Sequence, residues 1–459
     1  MLKNLASLAA FFLALAMPAN MVRAEERGDV IVRHVNVVDV AGERIAGDQA
    51  VVTRGDDIVA VGPDAAIASQ WQAGRSIDGS GKYLIPGLWD MHVHFGGGPE
   101  LIEENKALLP LYVAHGITTI RDASGDLPDQ VLSWREEIAN GSLFGPTLYT
   151  SGPKIEGLNP IWKGTIEAGS REGIDAALAR LQALRVDFVK ITDSTLQPEL
   201  FLYALSRARD LGLRTSGHIP MALTVGQAID AGLSSIEHLD YAFKAGAPNE
   251  AEIAAAFAAE GVFVTPTLNG SRIIAWLDQD DHSDDPYLAL IGPRLRATYA
   301  WRVERAAGAD VAAIEARHAH FDRVASVLPM LQRAGVTIMA GTDAGFLNSF
   351  NYPGIGLHDE LALFVDRGLT PAQALASATR AGPAWFGTLD RFGSVAPGMA
   401  ADLALLSRNP LEDIGATREI DTVLLRGEVF DRTALDRMLA ETRARVAQWN
   451  AEAADGPAE

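Results

Sequence analysis

The chain has 459 residues, of which 48% are hydrophobic and 21% are charged, as in an ordinary folded globular protein. Its formal net charge of -20 argues against nucleic acid or an anionic membrane surface as a partner, because both repel an acidic surface. The chain contains no cysteine, so disulfides and thiolate zinc sites are excluded.

The first 24 residues have the pattern of a secretory signal peptide. Lys3 supplies the positive charge, residues 5–17 form an apolar run, and Val22-Arg23-Ala24 resembles a cleavage site before Glu25. The alternative is a membrane anchor, but the apolar run is shorter than the about 20 residues that a spanning helix needs. We therefore expect an exported chain, periplasmic or secreted, that is free of the membrane after cleavage.

Both ends of the remaining chain are rich in short β-branched runs. Residues 25–85 contain such runs at 30–32, 35–38, 50–52 and 58–63, which predict a small antiparallel sheet. Similar runs return at 392–394, 401–406 and 423–427, within residues 391–431. This arrangement predicts one β-sandwich built from both segments, with a different domain at 86–390 between them. Residues 432–459 predict a C-terminal helix and tail.

The segment 86–390 alternates strand-like and helical stretches and predicts an α/β fold. Eight strands are predicted, at 88–94, 117–122, 147–151, 188–191, 214–218, 235–238, 262–266 and 337–343. Eight alternating strands and helices are typical of a (β/α)8 TIM barrel. A doubly wound open sheet is the alternative, but it lacks support from a glycine-rich phosphate motif. Residues 271–334 exceed an ordinary barrel helix and predict a helical lid or a contact within a homo-oligomer.

Ionisable side chains stand at the ends of five predicted strands. His92 and His94 lie two apart on the first strand, so they face the same side and could hold one metal ion. A coincidental pair of strand histidines is the alternative for this stretch alone. In a barrel the carboxyl ends of the strands meet on one face, where active sites lie. The predicted set at that face is His92, His94, Lys190, His218, His238 and Asp343.

This set resembles the metal site of the amidohydrolase superfamily. Residues 340–344 and 393–403 resemble its motifs as well, and the likeness is strongest to the imidazolonepropionase-like branch, which includes Xaa-Pro and Xaa-Arg/Lys dipeptidases and ochratoxin-hydrolysing amidases. The resemblance implies two divalent ions bridged by a carbamylated lysine, N6-carboxylysine, at Lys190. It assigns one ion to His92, His94, Lys190 and Asp343, and the other to Lys190, His218 and His238. These ligands suit Zn²⁺, with manganese, cobalt and iron as alternatives.

The implied reaction is hydrolysis of an amide bond by a hydroxide held between the two ions, since bound metal lowers the pKa of water to about 7. Asp343 is predicted to be both ligand and general base. Tyr241 is predicted to bind substrate by donating a hydrogen bond to the oxyanion, with a packing role as the alternative. Arg121, at the end of the second strand, and Lys154, after the third, are predicted to bind a substrate carboxylate, with surface solvation as the alternative for each.

Three functions follow from this resemblance. The preferred one is a hydrolase of carbon-nitrogen bonds that cleaves a small molecule, either a dipeptide or an N-acyl amino acid, with ochratoxin-type amides included. The second is a hydrolase of cyclic amides, lactones or other esters, because the same hydroxide attacks all of these carbonyls. The third is a metal-binding protein without catalysis, against which the complete ligand set and Asp343 argue.

Overall fold

The computed structural model describes residues 26–123, 126–160, 162–244 and 249–455. The predicted signal peptide, residues 1–24, lies outside this part of the chain. Among the helices of the described residues, none combines the length and apolar character needed to cross a membrane.

Strands are concentrated at the two ends of the described chain and recur singly through its middle. In chain order they are β1 (Glu26–Asp39), β2 (Arg44–Arg54), β3 (Asp57–Pro63), β4 (Trp71–Asp78), β5 (Tyr83–Pro86), β6 (Leu88–His94), β7 (Ile117–Asp122), β8 (Thr147–Thr150), β9 (Ile155–Glu156), β10 (Ile166–Glu167), β11 (Val189–Ile191), β12 (Thr215–Gly217), β13 (Ser235–Glu237), β14 (Phe263–Thr265), β15 (Ala344–Gly345), β16 (Leu403–Leu406), β17 (Ile420–Leu425) and β18 (Glu428–Asp431).

Helices fill most of the intervals between the central strands. In chain order they are α1 (Asp64–Ala68), α2 (Ile102–Lys106), α3 (Leu109–Ala114), α4 (Pro128–Ala139), α5 (Arg171–Ala183), α6 (Pro198–Asp210), α7 (Val225–Ala231), α8 (Glu250–Glu260), α9 (Leu268–Ala275), α10 (Pro293–Ala297), α11 (Ala300–Ala307), α12 (Val311–Ala325), α13 (Leu328–Ala334), α14 (Ile355–Asp366), α15 (Pro371–Thr379), α16 (Ala381–Phe386) and α17 (Arg432–Asp455). Short 3-10 segments lie at Pro99–Leu101, Leu239–Tyr241, Pro286–Leu290 and Ile414–Arg418.

Strands from both ends of the chain share one eight-stranded sheet, in the order β18-β17-β16-β5-β1-β2-β3, with β4 also paired to β1. The two ends meet where β16 runs antiparallel to β5, with Leu403 opposite Pro86. The sheet is mixed rather than purely antiparallel, because β4 and β5 both run parallel to β1. The strand predicted at residues 392–394 is wrong. These residues form a bend, in which Gly393 has φ +86°. A two-layer sandwich remains a prediction.

The middle of the chain is α/β, as the alternating pattern predicted, and its strands are parallel. They form two sheets, one ordered β10-β9-β11-β12-β13-β14 and the other β15-β6-β7-β8. The first seven predicted strands correspond to β6, β7, β8, β11, β12, β13 and β14, and each boundary agrees within one residue. Their side chains are buried on both faces, which is typical of parallel sheets covered by helices.

The eighth predicted strand is irregular. Its backbone hydrogen bonds go to three different elements: Met339 donates to Val264 in β14, Ala340 accepts from Met91 in β6, and Ala340 donates to Ser377 in α15. Because the partners change from residue to residue, no continuous strand pairing forms here. The regular pairing among the described residues is limited to β15 with β6 and to an isolated bridge between Val264 and Ile338. The same bonds nevertheless connect the two parallel sheets along this side.

The other side of the two sheets is connected as well. The Asp187 amide, just before β11, donates to the Thr150 carbonyl of β8 at 3.0 Å. Closure of all strands into one barrel remains a prediction. Because these strands are parallel, the carboxyl ends of β6, β11, β12 and β13 lie at the same edge. The segment that leads into β15 reaches this edge through its pairing with β6.

Candidate metal centre

The end of β6 presents two imidazoles to one carboxylate. His92 is fully buried and His94 is partly exposed, and their Nε2 atoms are 3.2 Å apart, so both rings face the same side as the alternation predicted. Asp343 Oδ1 lies 2.9 Å from His94 Nε2 and 3.4 Å from His92 Nε2. Three potential ligand atoms from two distant segments therefore converge.

His238 joins this cluster from the end of β13. One ligand atom each from His92, His238 and Asp343 lie within 4.8 Å of one another, a spacing that could hold a metal ion. His238 and Asp343 both have left-handed backbones, with φ of +62° and +64°. Residues other than glycine rarely adopt this conformation, and such strain concentrates at functional sites. The Asp343 amide donates to the His92 carbonyl at 2.7 Å, which holds the strained residue in place.

Lys190 and His218 are the remaining predicted ligands, and their surroundings indicate whether the cluster fits metal ions. Lys190 Nζ, on β11, and His218 Nε2, just after β12, are buried, and neither has a hydrogen-bond partner among the described residues. Buried polar atoms are normally paired, so two unpaired nitrogens beside His238 indicate an interaction with a bound group. The imidazoles and the carboxylate fit divalent cations, and Lys190 would fit beside them once its amine is neutral or carboxylated.

Burial also sets the protonation of these groups. It lowers the pKa of His92 and His218 well below the usual range and that of His238 to about 3, so the imidazoles are neutral and able to bind metal. Burial raises the pKa of Asp343, but the hydrogen bond from His94 and the nearby imidazoles outweigh this and keep the carboxyl ionised. Burial lowers the pKa of Lys190 to about 8, which increases the share of neutral amine compared with an ordinary lysine.

Glu237, which was not predicted from the sequence, holds the His92 ring of this cluster in place. It is fully buried, and its Oε2 lies 2.6 Å from His92 Nδ1. Its Oε1 accepts hydrogen bonds from the hydroxyls of Ser216 and Ser235 at 2.6 and 2.8 Å. A carboxylate bound to the far nitrogen of a metal-binding imidazole fixes the ring orientation and its tautomer. The signal was present, since an acidic residue inside a buried strand requires a partner.

That partner is Arg121, and its predicted role is wrong. Arg121 is fully buried on β7, donates to both Glu237 oxygens at 2.7 and 2.8 Å, and donates to the Met91 carbonyl at 2.5 Å. Its guanidinium also lies over the Trp385 ring, 4.7 Å from the centroid. Because its charge is compensated beneath the metal cluster, Arg121 neither reaches a substrate carboxylate nor is solvated at the surface.

Asp90 is a second buried carboxylate that the sequence reasoning missed. Its oxygens accept from the Thr342 hydroxyl at 2.7 Å, from the Thr342 amide at 3.0 Å and from the His92 amide at 3.2 Å. Burial raises its pKa to about 7. These bonds tie the residue before Asp343 to the strand that carries His92, and so fix the spacing of the two ligands.

A cavity of about 80 Å³ opens above the cluster. It is lined by His94, Ala123, Asp126, Lys154, Trp162, Lys190, Thr192, His218, His238, Arg302, Asp343, Phe346 and Asn348. We use the name catalytic cavity for this space. Of the predicted substrate contacts, Lys154 is the one that lines it. Its Nζ lies 4.5 Å from the Trp162 ring centroid, and burial lowers its pKa to about 8.

Two further side chains border the cluster. Tyr241, in the 3-10 segment after His238, stacks on the His218 ring with centroids 4.4 Å apart and planes 17° apart. Burial raises its pKa, so the phenol remains a neutral donor. Arg302, on α11, was not predicted; its guanidinium lies 3.7 Å from Asp343 Oδ2. It reaches the catalytic cavity from the helical segment 271–334, whose position the sequence pattern did not reveal.

Comparison with known proteins agrees with this geometry. A sequence model of the amidohydrolase family matches residues 83–430. Ochratoxinase of Aspergillus niger is 24% identical over 442 residues, covering 83% of this chain and 82% of that protein. Among solved structures, a bottromycin amidohydrolase superposes with a TM-score of 0.73 at 21% identity, covering 91% of this chain and 90% of that one. An Xaa-Pro dipeptidase with bound methionine gives 0.68 at 21% identity, with coverage of 88% and 99%.

Proposed function

Because the chain belongs to the amidohydrolase family, as its motifs predicted, we propose that it hydrolyses the amide bond of a dipeptide or an N-acyl amino acid using two divalent metal ions. The observation that carries the proposal is the convergence of four imidazoles, Asp343 and Lys190, of which two buried nitrogens have no hydrogen-bond partner in the part of the chain that the structure describes. The names of the relatives, ochratoxinase and Xaa-Pro dipeptidase, support an amide substrate.

The two ions have the assignment that the superfamily resemblance implies. One would be held by His92, His94, Asp343 and a carboxylated Lys190, and the other would be held by the same lysine with His218 and His238. Zn²⁺ suits this set of nitrogen and oxygen ligands. When bound, the ions polarise the substrate carbonyl and lower the pKa of a water molecule.

The protein's own side chains move the proton and orient the substrate. Asp343, ionised in this cluster, takes a proton from the attacking water and delivers it to the amide nitrogen as the carbon-nitrogen bond breaks. Tyr241 donates a hydrogen bond to the carbonyl oxygen as negative charge develops on it. Lys154 binds the free carboxylate of the substrate through its ammonium group.

We infer that the two parallel sheets form the predicted (β/α)8 barrel and that the mixed terminal sheet folds as the predicted sandwich. The hydrogen bonds that join the sheets on both sides, from Asp187 to Thr150 and from Met339 to Val264, support closure. In such a barrel the strands that carry the ligands end on the face where active sites lie.

Metal analysis tests the ligand assignment. We expect close to two ions per chain, together with a carbon dioxide adduct on Lys190 that is detectable by ¹³C NMR after exposure to labelled bicarbonate. His218→Asn should lose one ion. His318→Asn is the matched control, because that imidazole stacks on Trp276 and lies 2.9 Å from Asp278. One ion per chain in the unaltered protein, with an unmodified Lys190, would refute the bridged pair.

A substrate panel tests the reaction. Dipeptides and N-acyl amino acids are compared with lactones and hydantoins, because the same site chemistry could attack cyclic amides and esters. We expect hydrolysis of the open-chain amides that carry a free carboxylate. Turnover confined to the ring substrates would replace the proposed function with the cyclic alternative.

A further inference from the structure

A second cavity, of about 360 Å³, adjoins the catalytic cavity. The two share Asp126, Trp162 and Phe346 in their walls, so they are neighbouring parts of one recess. We call this second space the aromatic pocket. Its lining is Gly97, Asp126, Trp162, Lys163, Ala297, Thr298, Trp301, Phe346 and Leu347.

The volumes show that a substrate has to extend beyond the catalytic cavity. Small-molecule sites usually measure about 300–1,000 Å³. The catalytic cavity, at about 80 Å³, lies well below that range. The remainder of any amide whose carbonyl reaches the candidate ligands therefore lies in an adjoining space. The aromatic pocket shares three wall residues with the catalytic cavity, whereas another cavity, of about 260 Å³, shares Arg302 alone.

The composition of the pocket selects an apolar group. Two of its nine lining residues, Asp126 and Lys163, are ionisable, whereas Trp162, Trp301 and Phe346 contribute aromatic rings. Trp301 is 41% exposed, which is a large apolar surface to leave in water. Aromatic faces bind flat apolar groups by offset stacking or edge contacts, in addition to the gain from burial.

The pocket is held in shape before any ligand arrives. Phe346 packs directly on backbone without side chains: a Cβ added to Gly96 or Gly97 would lie 2.5 or 2.8 Å from its ring. Leu347 has a left-handed backbone, with φ +62°, and its amide donates to the Thr298 hydroxyl at 3.2 Å. A strained residue fixed by its neighbours is a mark of a preorganised binding site.

We propose that the aromatic pocket binds a planar apolar group of the substrate, and that Trp301 determines this specificity. The proposal rests on the proposed function, because it places the scissile amide in the catalytic cavity next door. Trp301 belongs to α11, in the helical segment 271–334, so this segment supplies substrate selection from outside the strand ends that carry the metal ligands.

Two substrate series test the proposal on the metal-loaded enzyme. One varies the acyl group of N-acylglycines from acetyl through benzoyl to 2-naphthoyl, and the other varies N-acetylated amino acids from alanine through phenylalanine to tryptophan. In at least one series kcat/KM should rise by about 10-fold or more from the smallest to the largest member. Trp301→Ala, which truncates an exposed ring, should reduce that ratio by about 10-fold, and Ala297→Trp should reduce it by filling the pocket.

Trp71→Ala, in β4 of the terminal sheet, is the matched control and should keep the ratio of the unaltered enzyme. Binding of the products 2-naphthoate and L-tryptophan, measured by calorimetry, gives a readout independent of turnover. At least one Kd should weaken by about 10-fold in Trp301→Ala. Ratios without size preference, or equal product affinities in Trp301→Ala and the unaltered protein, would overturn the proposal. Product binding that depends on Trp301 without hydrolysis of any substrate would support the pocket and refute the proposed function alone.

Discussion

Replacing Glu237 by glutamine should weaken both the fold and the metal centre. The carboxylate accepts five hydrogen bonds: Oε1 from Arg121, Ser216 and Ser235, and Oε2 from Arg121 and His92. An amide nitrogen in place of Oε2 cannot accept, so the bonds from His92 and one from Arg121 are lost. Breaking a buried ion pair by removing one partner costs about 3–5 kcal/mol, and we expect Glu237→Gln to lower the free energy of unfolding by that amount.

The effect on metal is separable from the effect on stability. Loss of a carboxylate behind a metal-binding histidine usually weakens affinity by about 10- to 100-fold, which competition with a fluorescent chelator can measure. Replacing Arg121 and Glu237 together by methionine should restore much of the stability, because apolar replacements of a buried pair are often neutral, yet leave metal affinity low. A stability loss below about 1 kcal/mol in urea unfolding of Glu237→Gln would contradict the ion-pair reasoning.

Three further outcomes are expected. Asp343→Asn should lower kcat by about 10²–10⁴-fold while circular dichroism shows an intact fold, and full activity would remove its role as general base. Lys154 is cationic below its pKa of about 8 and neutral above it, so KM for carboxylate substrates should rise as pH increases through that value. Lys154→Met should have a high KM at every pH. If this variant kept the pH dependence of KM, the assignment of Lys154 would be contradicted. Removal of metal by a chelator should lower Tm, and Zn²⁺ should restore it, because ions that bind only the native state stabilise it; a Tm unchanged by the chelator would argue against bound metal.

Much of the candidate centre could be predicted because its information is local. The alternation of side chains along β6 places His92 and His94 on one face. Parallel strands place Lys190, His218 and His238 at one edge of the sheet, and this follows from strand direction without knowledge of the helices. The strand boundaries were also predictable, since apolar runs bounded by turns mark buried parallel strands. The eighth strand was less regular than its sequence suggests, because its hydrogen-bond partners alternate among three elements.

The pairing of buried charges on different strands could not be predicted from the sequence. Arg121 stands near a strand end, which suggested a mouth residue, but its side chain points to Glu237, 116 positions away. Both residues lie within buried strands, and the need to neutralise a buried charge predicts that each has a partner without identifying it. Arg302 and Trp301 were hidden for a different reason: the position of α11 depends on how its segment packs, and helical periodicity does not encode that position.

The chain thus divides its chemistry between two kinds of structure. The candidate metal ligands stand on parallel strands or directly beside a strand end, Asp343 just before β15. Buried carboxylates hold two of the segments that carry them, Glu237 through His92 and Asp90 through Thr342. The residues proposed to face the rest of the substrate, Trp162, Trp301 and Phe346, come from loops and from the helical segment 271–334. The hydrogen bonds of Glu237 and Asp90 go to residues outside the aromatic pocket, so we expect a substitution in the pocket to leave them intact. Substrate preference can therefore change while the reacting groups keep their geometry, which is consistent with one fold serving relatives named for ochratoxin, Xaa-Pro dipeptides and bottromycin.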